Sequence, residues 1–134
     1  MAKSFHLEIL TPYGRYFDGD VTFINVCSEK YNLGIYADHA PLISTVDICK
    51  MTIRTDNEEY VYAVGGGVIK IDKEKVTLLL NSVERSDEID VSRAQAAKQR
   101  AEERLNSPSK EDVDVNRAKI ALLKALNRIN IVEK

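Results

Sequence analysis

The chain changes character near residue 86, and that change limits what it can fold into. All six glycines fall at or before Gly67, and every aromatic falls at or before Tyr62. Beyond that point the alanines gather instead: Ala94, Ala96, Ala97, Ala101, Ala118, Ala121 and Ala125. Aromatic and β-branched residues suit pleated, half-buried surfaces. Alanine mixed with Lys, Arg, Glu and Gln suits helices. A β domain over 1–86 followed by a helical domain over 87–134 is the organisation expected. At 134 residues the chain has room for one domain, or for one small domain with an appendage.

The first part reads as short alternating strands. Phe5, Leu7 and Ile9 alternate with His6 and Glu8, and further apolar runs cover 21–26, 48–54, 59–64, 68–71 and 76–80. Turn material separates them at Pro12-Tyr13-Gly14, Asp18-Gly19-Asp20, Asp38-His39-Ala40-Pro41, Asp56-Asn57-Glu58 and Asp72-Lys73-Glu74-Lys75. Many short strands with no helix between them indicate a β-sandwich or barrel. Gly65-Gly66-Gly67 joins two of the runs and opens no helix, so it is a strand bend or bulge at a close backbone approach, not a phosphate loop.

The second part reads as a helix hairpin. Asp90 is placed to N-cap a helix running through Leu105, with Ala94, Ala97, Ala101 and Leu105 on one stripe. Asn106-Ser107-Pro108-Ser109 breaks that helix, because proline cannot continue a helix interior. Asp112 or Asp114 opens the next, whose stripe is Val115, Ala118, Leu122, Ala125 and Ile129. Two small-residue stripes allow close antiparallel packing. Alanine contacts bury little apolar area, so the hairpin is marginal by itself and a candidate moving part.

Several functions are disfavoured at once. A net charge of −2 argues against a nucleic-acid binder. No apolar run reaches the ~20 residues that span a bilayer, and the start lacks a signal-peptide core, so a cytoplasmic protein is expected. Cys27 and Cys49 form no CxxC pair, His6 and His39 are the only histidines, and no metal is required. GxSxG and GxxxxGK[ST] are absent, and His39 has no nucleophile or metal partner near it in sequence, so an enzyme is not expected. The informative stretch is ERSDEIDVSRA, 84–94. Asp87, Glu88 and Asp90 stand at the positive end of a helix dipole, and Arg93 lies one turn after Asp90. This is either a capped helix start with a local ion pair or a small-ligand clamp. Arg100, Arg117, Lys119, Lys124 and Arg128 make the hairpin cationic, and no acid lies between Arg117 and Arg128. Lys124 and Arg128, four residues apart, repel each other, so an anion between them would be stabilising.

With these residues in view, the chain resembles the epsilon-subunit family of bacterial F-type ATP synthases. FHLEILTPYGRYFDGDV matches the family's first strands and LGIYADHAPL its loop signature. VGGGVIKI followed by VTLLL matches its glycine segment and next strand. VERSDEIDVSRAQAAKQRAEERL and ALLKALNRI match its helical hairpin. The resemblance runs essentially end to end. It implies an N-terminal ten-stranded β-sandwich followed by a C-terminal two-helix antiparallel hairpin. It also implies a non-catalytic central-stalk subunit whose partners are the gamma subunit, the c-ring and the alpha and beta subunits. Such a subunit is peripheral on the cytoplasmic face of the cell membrane, which it meets only through the complex. Its hairpin inhibits ATP hydrolysis when extended.

In several relatives the folded-down hairpin binds ATP as a regulatory ligand through an I/L-D-x-x-R-A motif. Ile89, Asp90, Arg93 and Ala94 satisfy it here. By the same resemblance Glu84 is the adenine-contacting acid, Arg100 a further arginine, and Lys124 and Arg128 the second-helix cations. Lys124 departs from the arginine of the better binders, keeping the charge without the bidentate fork. His39 and Asn32 fall at the c-ring and gamma contacts, with Asn32 where an acid is common. The alternative is the same stalk subunit with no physiologically useful ATP binding and a purely structural hairpin. A free-standing binding module would need clustered exposed aromatics, and the tyrosines here are spread over several strands.

Overall fold

Among the described residues, eight strands and then two helices follow one another along the chain. The structure is a computed structural model that describes residues 3–29, 31–106 and 115–133. The strands are β1 (Phe5–Thr11), β2 (Gly14–Val21), β3 (Phe23–Ser28), β4 (Tyr31–Ile35), β5 (Leu42–Arg54), β6 (Glu59–Ile71), β7 (Lys75–Leu80) and β8 (Val83–Arg85). A 3₁₀ turn, Ser86–Glu88, leads to α1 (Val91–Leu105) and α2 (Val115–Glu133). The chain divides into two compact units, Met1–Arg85 and Ser86–Lys134.

In the first unit the sheet order is β2-β1-β7-β6-β5-β3-β4, with β8 also paired to β6. All pairs are antiparallel except β1 with β7. Leu7, Ile9, Ile24, Ile35, Met51, Ile53, Ile69, Ile71 and Leu78 are fully buried in one core to which every strand contributes. Strand residues alone make this core, so the sheet folds over on itself to cover it. Each such side chain contributes ~1.5–3 kcal/mol relative to an exposed position.

Ten strands were expected, and the described residues form eight. The two long strands, 13 residues each, explain the difference. In β6 the inward positions are Tyr62 and Val64 before the glycines but Ile69 and Ile71 after them. In β5 they are Cys49, Met51 and Ile53 on one side and Val46 on the other. Both strands therefore exchange faces at the same level, where Val46 pairs with Gly67 and Ile48 with Gly65. A strand that crosses from one layer of a sandwich to the other must make this exchange. Each long strand thus serves both layers as one unbroken element. The glycine run that separates two strands in the sequence pattern is a bend inside one.

The bend needs glycine. Gly66 and Gly67 have φ of 90° and 157°. A Cβ on Gly67 would stand 2.0 Å from the Leu79 carbonyl oxygen, and one on Gly65 2.1 Å from Ser82 Oγ. The expected close backbone approach is thus the end of β7 and its link to β8, pinned by Gly65 N–H to the Ser82 carbonyl at 2.9 Å and Asn81 N–H to the Gly66 carbonyl at 2.8 Å. A second difference lies at Asp18-Gly19-Asp20, which is not a turn. It is ladder, pairing with Glu8, Leu7 and His6. Outward side-chain contacts of Asp18 and Asp20 with the His6 ring, and an ion pair of Asp18 with Arg15, offset the low strand propensity of the acids.

In the second unit α1 begins and ends where the sequence pattern placed it. Asp90 is the N-cap and Asn106 the C-cap, its N–H bonded to the Glu102 carbonyl at 3.0 Å. Ser107, Pro108, Ser109, Asp112 and Asp114 lie outside the described residues. The helices pack on one another, burying Ala94 and Ala101 of α1 and Ala118, Ala125 and Ile129 of α2. Ala97, Leu105, Val115 and Leu122 of the expected stripes are half-buried. Each buried alanine contributes little more than one methyl group, ~0.8 kcal/mol. α2 also touches the 3₁₀ turn, at the opposite end of α1 from the connection. An α2 running back antiparallel makes both contacts.

Candidate functional site

In the helical unit the candidate clamp begins at Asp90. Its backbone is extended, with φ −87° and ψ 104°, and its carboxylate accepts the Arg93 backbone N–H at 3.1 Å. Its own carbonyl accepts the Ala94 N–H at 3.0 Å. Asp90 is therefore a working N-cap, as its residue type favours. Among the described residues the link between Asp90 and Arg93 runs through the arginine's backbone, not its guanidinium. The Arg93 side chain is exposed, Ala94 is buried and Ile89 is half-buried just ahead of the helix.

The cations follow a rule. Arg93, Arg100, Lys124 and Arg128 each immediately precede a buried residue of the helix contact: Ala94, Ala101, Ala125 and Ile129. One residue is about 100° of helix rotation, so each cation flanks the contact. In an antiparallel pair of right-handed helices, the residue before a contact position lies on the same side of the seam in both helices. In a parallel pair the two would lie on opposite sides. All four cations thus line one side of an antiparallel seam. Arg93 is twelve residues from the connection end of α1, and Arg128 thirteen from that of α2. At ~1.5 Å per residue the two are nearly level, with Lys124 and then Arg100 following toward the connection. Lys124 and Arg128 are half-buried and Arg100 is exposed.

Glu84 belongs to the first unit. It sits in β8 opposite Ala63 and is half-buried. The remaining expected contact residues are not brought together. Asn32 pairs with Cys27 beside the β3–β4 turn, whereas His39 lies past the other end of β4. The His39 ring nitrogen Nδ1 is 2.7 Å from the Ala40 carbonyl oxygen, so the ring is held by its own loop. Among the described residues no cluster of His, Cys, Asp or Glu could hold a metal ion.

Comparison with known proteins decides the family. Residues 4–86 match the model described as ATP synthase, Delta/Epsilon chain, beta-sandwich domain. Residues 87–133 match the one described as ATP synthase, Delta/Epsilon chain, long alpha-helix domain. The chain belongs to the ATP synthase delta/epsilon family. The ATP synthase epsilon chain of Bacillus pumilus is 40% identical over 82% of this chain and 84% of its own. That of Bacillus subtilis is 39% identical over 98% and 99%. A chain in the Euglena gracilis mitochondrial ATP synthase shares the fold, with a TM-score of 0.79 at 16% identity over 92% of this chain and 78% of its own. As a delta/epsilon-family member, the chain is a non-catalytic central-stalk subunit of the rotary complex. No helix among the described residues is long and apolar enough to cross a membrane.

Two features of this delta/epsilon sandwich escaped the sequence pattern. One is an exposed apolar row. Thr45, Val68, Leu79 and Leu10 pair in succession across β5, β6, β7 and β1, so they share the outward face. Leu79 is 50% exposed and neighbouring Ile43 70%. Their outward phase was readable from the alternation in β6 and β7 once the strand break at the glycines is removed. The other is a charge cluster beside that row. Glu8 is held by Lys75 Nζ at 2.9 Å and Arg15 Nε at 3.1 Å. The Lys75 hydrogen bond, against an opposing push from burial, keeps the Glu8 carboxyl below the ordinary glutamate value.

Proposed function

We propose that this stalk subunit couples the gamma subunit to the c-ring and restrains ATP hydrolysis through a mobile helical hairpin whose folded form binds ATP. The observation that carries the reading is the row of Arg93, Arg100, Lys124 and Arg128 along one side of the helix seam, beginning beside the Asp90 cap. Both helices contribute cations to it, so an anionic ligand there binds only when they are packed together. Ile89 and Ala94 supply apolar surface at one end, Asp90 accepts from base or ribose, and the cations meet the phosphates. ATP then stabilises the folded hairpin by RT ln(1 + [ATP]/Kd), about 2.7 kcal/mol at a hundredfold excess. That suffices to reverse a near-balanced switch.

The apolar row through Val68 and Leu79 supports the docking part of the reading, since an exposed sheet face of this kind suits a protein partner. Asn32 and His39 are contact residues toward the c-ring and gamma. The cationic helices suit acidic surfaces on the alpha and beta subunits. The subunit works on the cytoplasmic face of the cell membrane, peripheral, and held there through the complex. Titrating the isolated full-length chain with ATP tests the sensing role. Binding heat and a thermal shift at millimolar ATP are expected. Neither appearing would leave the stalk subunit with a structural hairpin, the reading that Lys124 in place of arginine favours.

A further inference from the structure

Cys27 and Cys49 are 22 positions apart in the chain yet adjacent in the fold. The ladder between β3 and β5 ends at Asn25 with Thr52. Just beyond, the Cys27 N–H donates not to a carbonyl but to Cys49 Sγ, at 3.3 Å. Cys27 is half-buried and its Sγ donates to Asn32 Oδ1 at 3.5 Å, whereas Cys49 is buried. A small reagent therefore meets Cys27 first, with Cys49 waiting beside it. An accessible thiol, an adjacent resolving thiol and a β3–β5 ladder that has already ended at this level are together what a reversible disulfide needs.

We propose that Cys27 and Cys49 are a thiol–disulfide switch that staples β3 to β5 when the cell's low-molecular-weight disulfides rise. The Cys27 thiolate attacks one sulfur of a disulfide such as oxidised glutathione. The S–S bond breaks, one glutathione leaves as thiolate and takes up a proton, and Cys27 holds the other. Cys49 loses its proton to solvent and attacks the Cys27 sulfur, and the second glutathione leaves. Two protein thiols are oxidised, and one small disulfide is reduced to two thiols. Closure removes the thiol that donates to Asn32, so it alters the β3–β4 hairpin. Burial pushes the Cys49 thiol up to about 12, so the resolving step is slow at neutral pH. Its rate should keep rising about tenfold per pH unit from pH 8 to 10, where an ordinary thiol levels off near 8.5–9. A slow resolver suits a site that ignores brief fluctuations in a reducing cytosol.

The test is intact-mass spectrometry of the native full-length chain incubated with oxidised glutathione across that pH range. The expected product is the chain lighter by a pair of hydrogens, restored by dithiothreitol. Cys49→Ser should stop at a stable glutathione adduct on Cys27, and Cys27→Ser should stay unmodified until denatured. A wild-type chain that ends as a persistent single adduct, as a disulfide-linked dimer, or unreacted until denaturant is added would overturn the proposal.

Discussion

At Asp90 one carboxylate serves both the helix and the proposed ligand, and substitutions can separate the two. Asp90→Ala removes the cap as well as the charge, so the hairpin should lose ~1 kcal/mol. Asp90→Asn keeps a side-chain oxygen for the Arg93 N–H and loses only the charge. Both should weaken ATP binding at least tenfold, about 1.4 kcal/mol, in calorimetry, while only the alanine variant lowers helix content. Arg93→Ala should match the loss in affinity with the cap intact. Gly67→Ala belongs to this scale too. Its Cβ would meet the Leu79 carbonyl oxygen at 2.0 Å, and backbone there cannot turn aside. A loss on the order of 2–4 kcal/mol is expected in urea unfolding. Glu8 adds a pH signature. Its carboxyl is lowered in the fold, so its contribution is present above the ordinary value of 4.5 and disappears as pH falls through the lowered one. Glu8→Gln should thus lower Tm at pH 7 and make progressively less difference as the pH drops below 4.

At the level of elements the contrast is between sheet and hairpin. The sandwich buries Leu, Ile and Met side chains whole, whereas the helices meet over alanines. Native-state hydrogen exchange should therefore show α1 and α2 opening at lower free energy than the central strands β5 and β6. Equal protection would remove the physical basis for a moving hairpin. The strand count shows how far pattern reading reaches. Alternation places β1, β7 and most of β6 correctly, because a one-sided strand writes its face into every second residue. It fails where β5 and β6 change layers, since there the phase inverts and the glycines look like a boundary. The same inversion hid the outward row of Val68 and Leu79.

For the whole molecule the division near residue 86 makes two experiments decisive. Residues 1–86 expressed alone should fold, because the core cluster lies wholly within 1–85, and should still bind gamma in a pull-down. Removing 87–134 from the assembled complex should raise ATP hydrolysis with assembly intact. Unchanged hydrolysis would return the hairpin to a purely structural part.

The two classes of secondary structure, the boundary between them, the Asp90 cap and the alanine seam were determined by sequence alone. Each is a local matter: propensity, capping chemistry and periodicity act within a turn or a strand. The tertiary structure decided which strands continue through a glycine bend, which outward apolar residues share a row, and that Cys27 stands beside Cys49. Those depend on register between segments far apart in the chain. No local pattern carries register, because it is settled only when the two layers close on a common core.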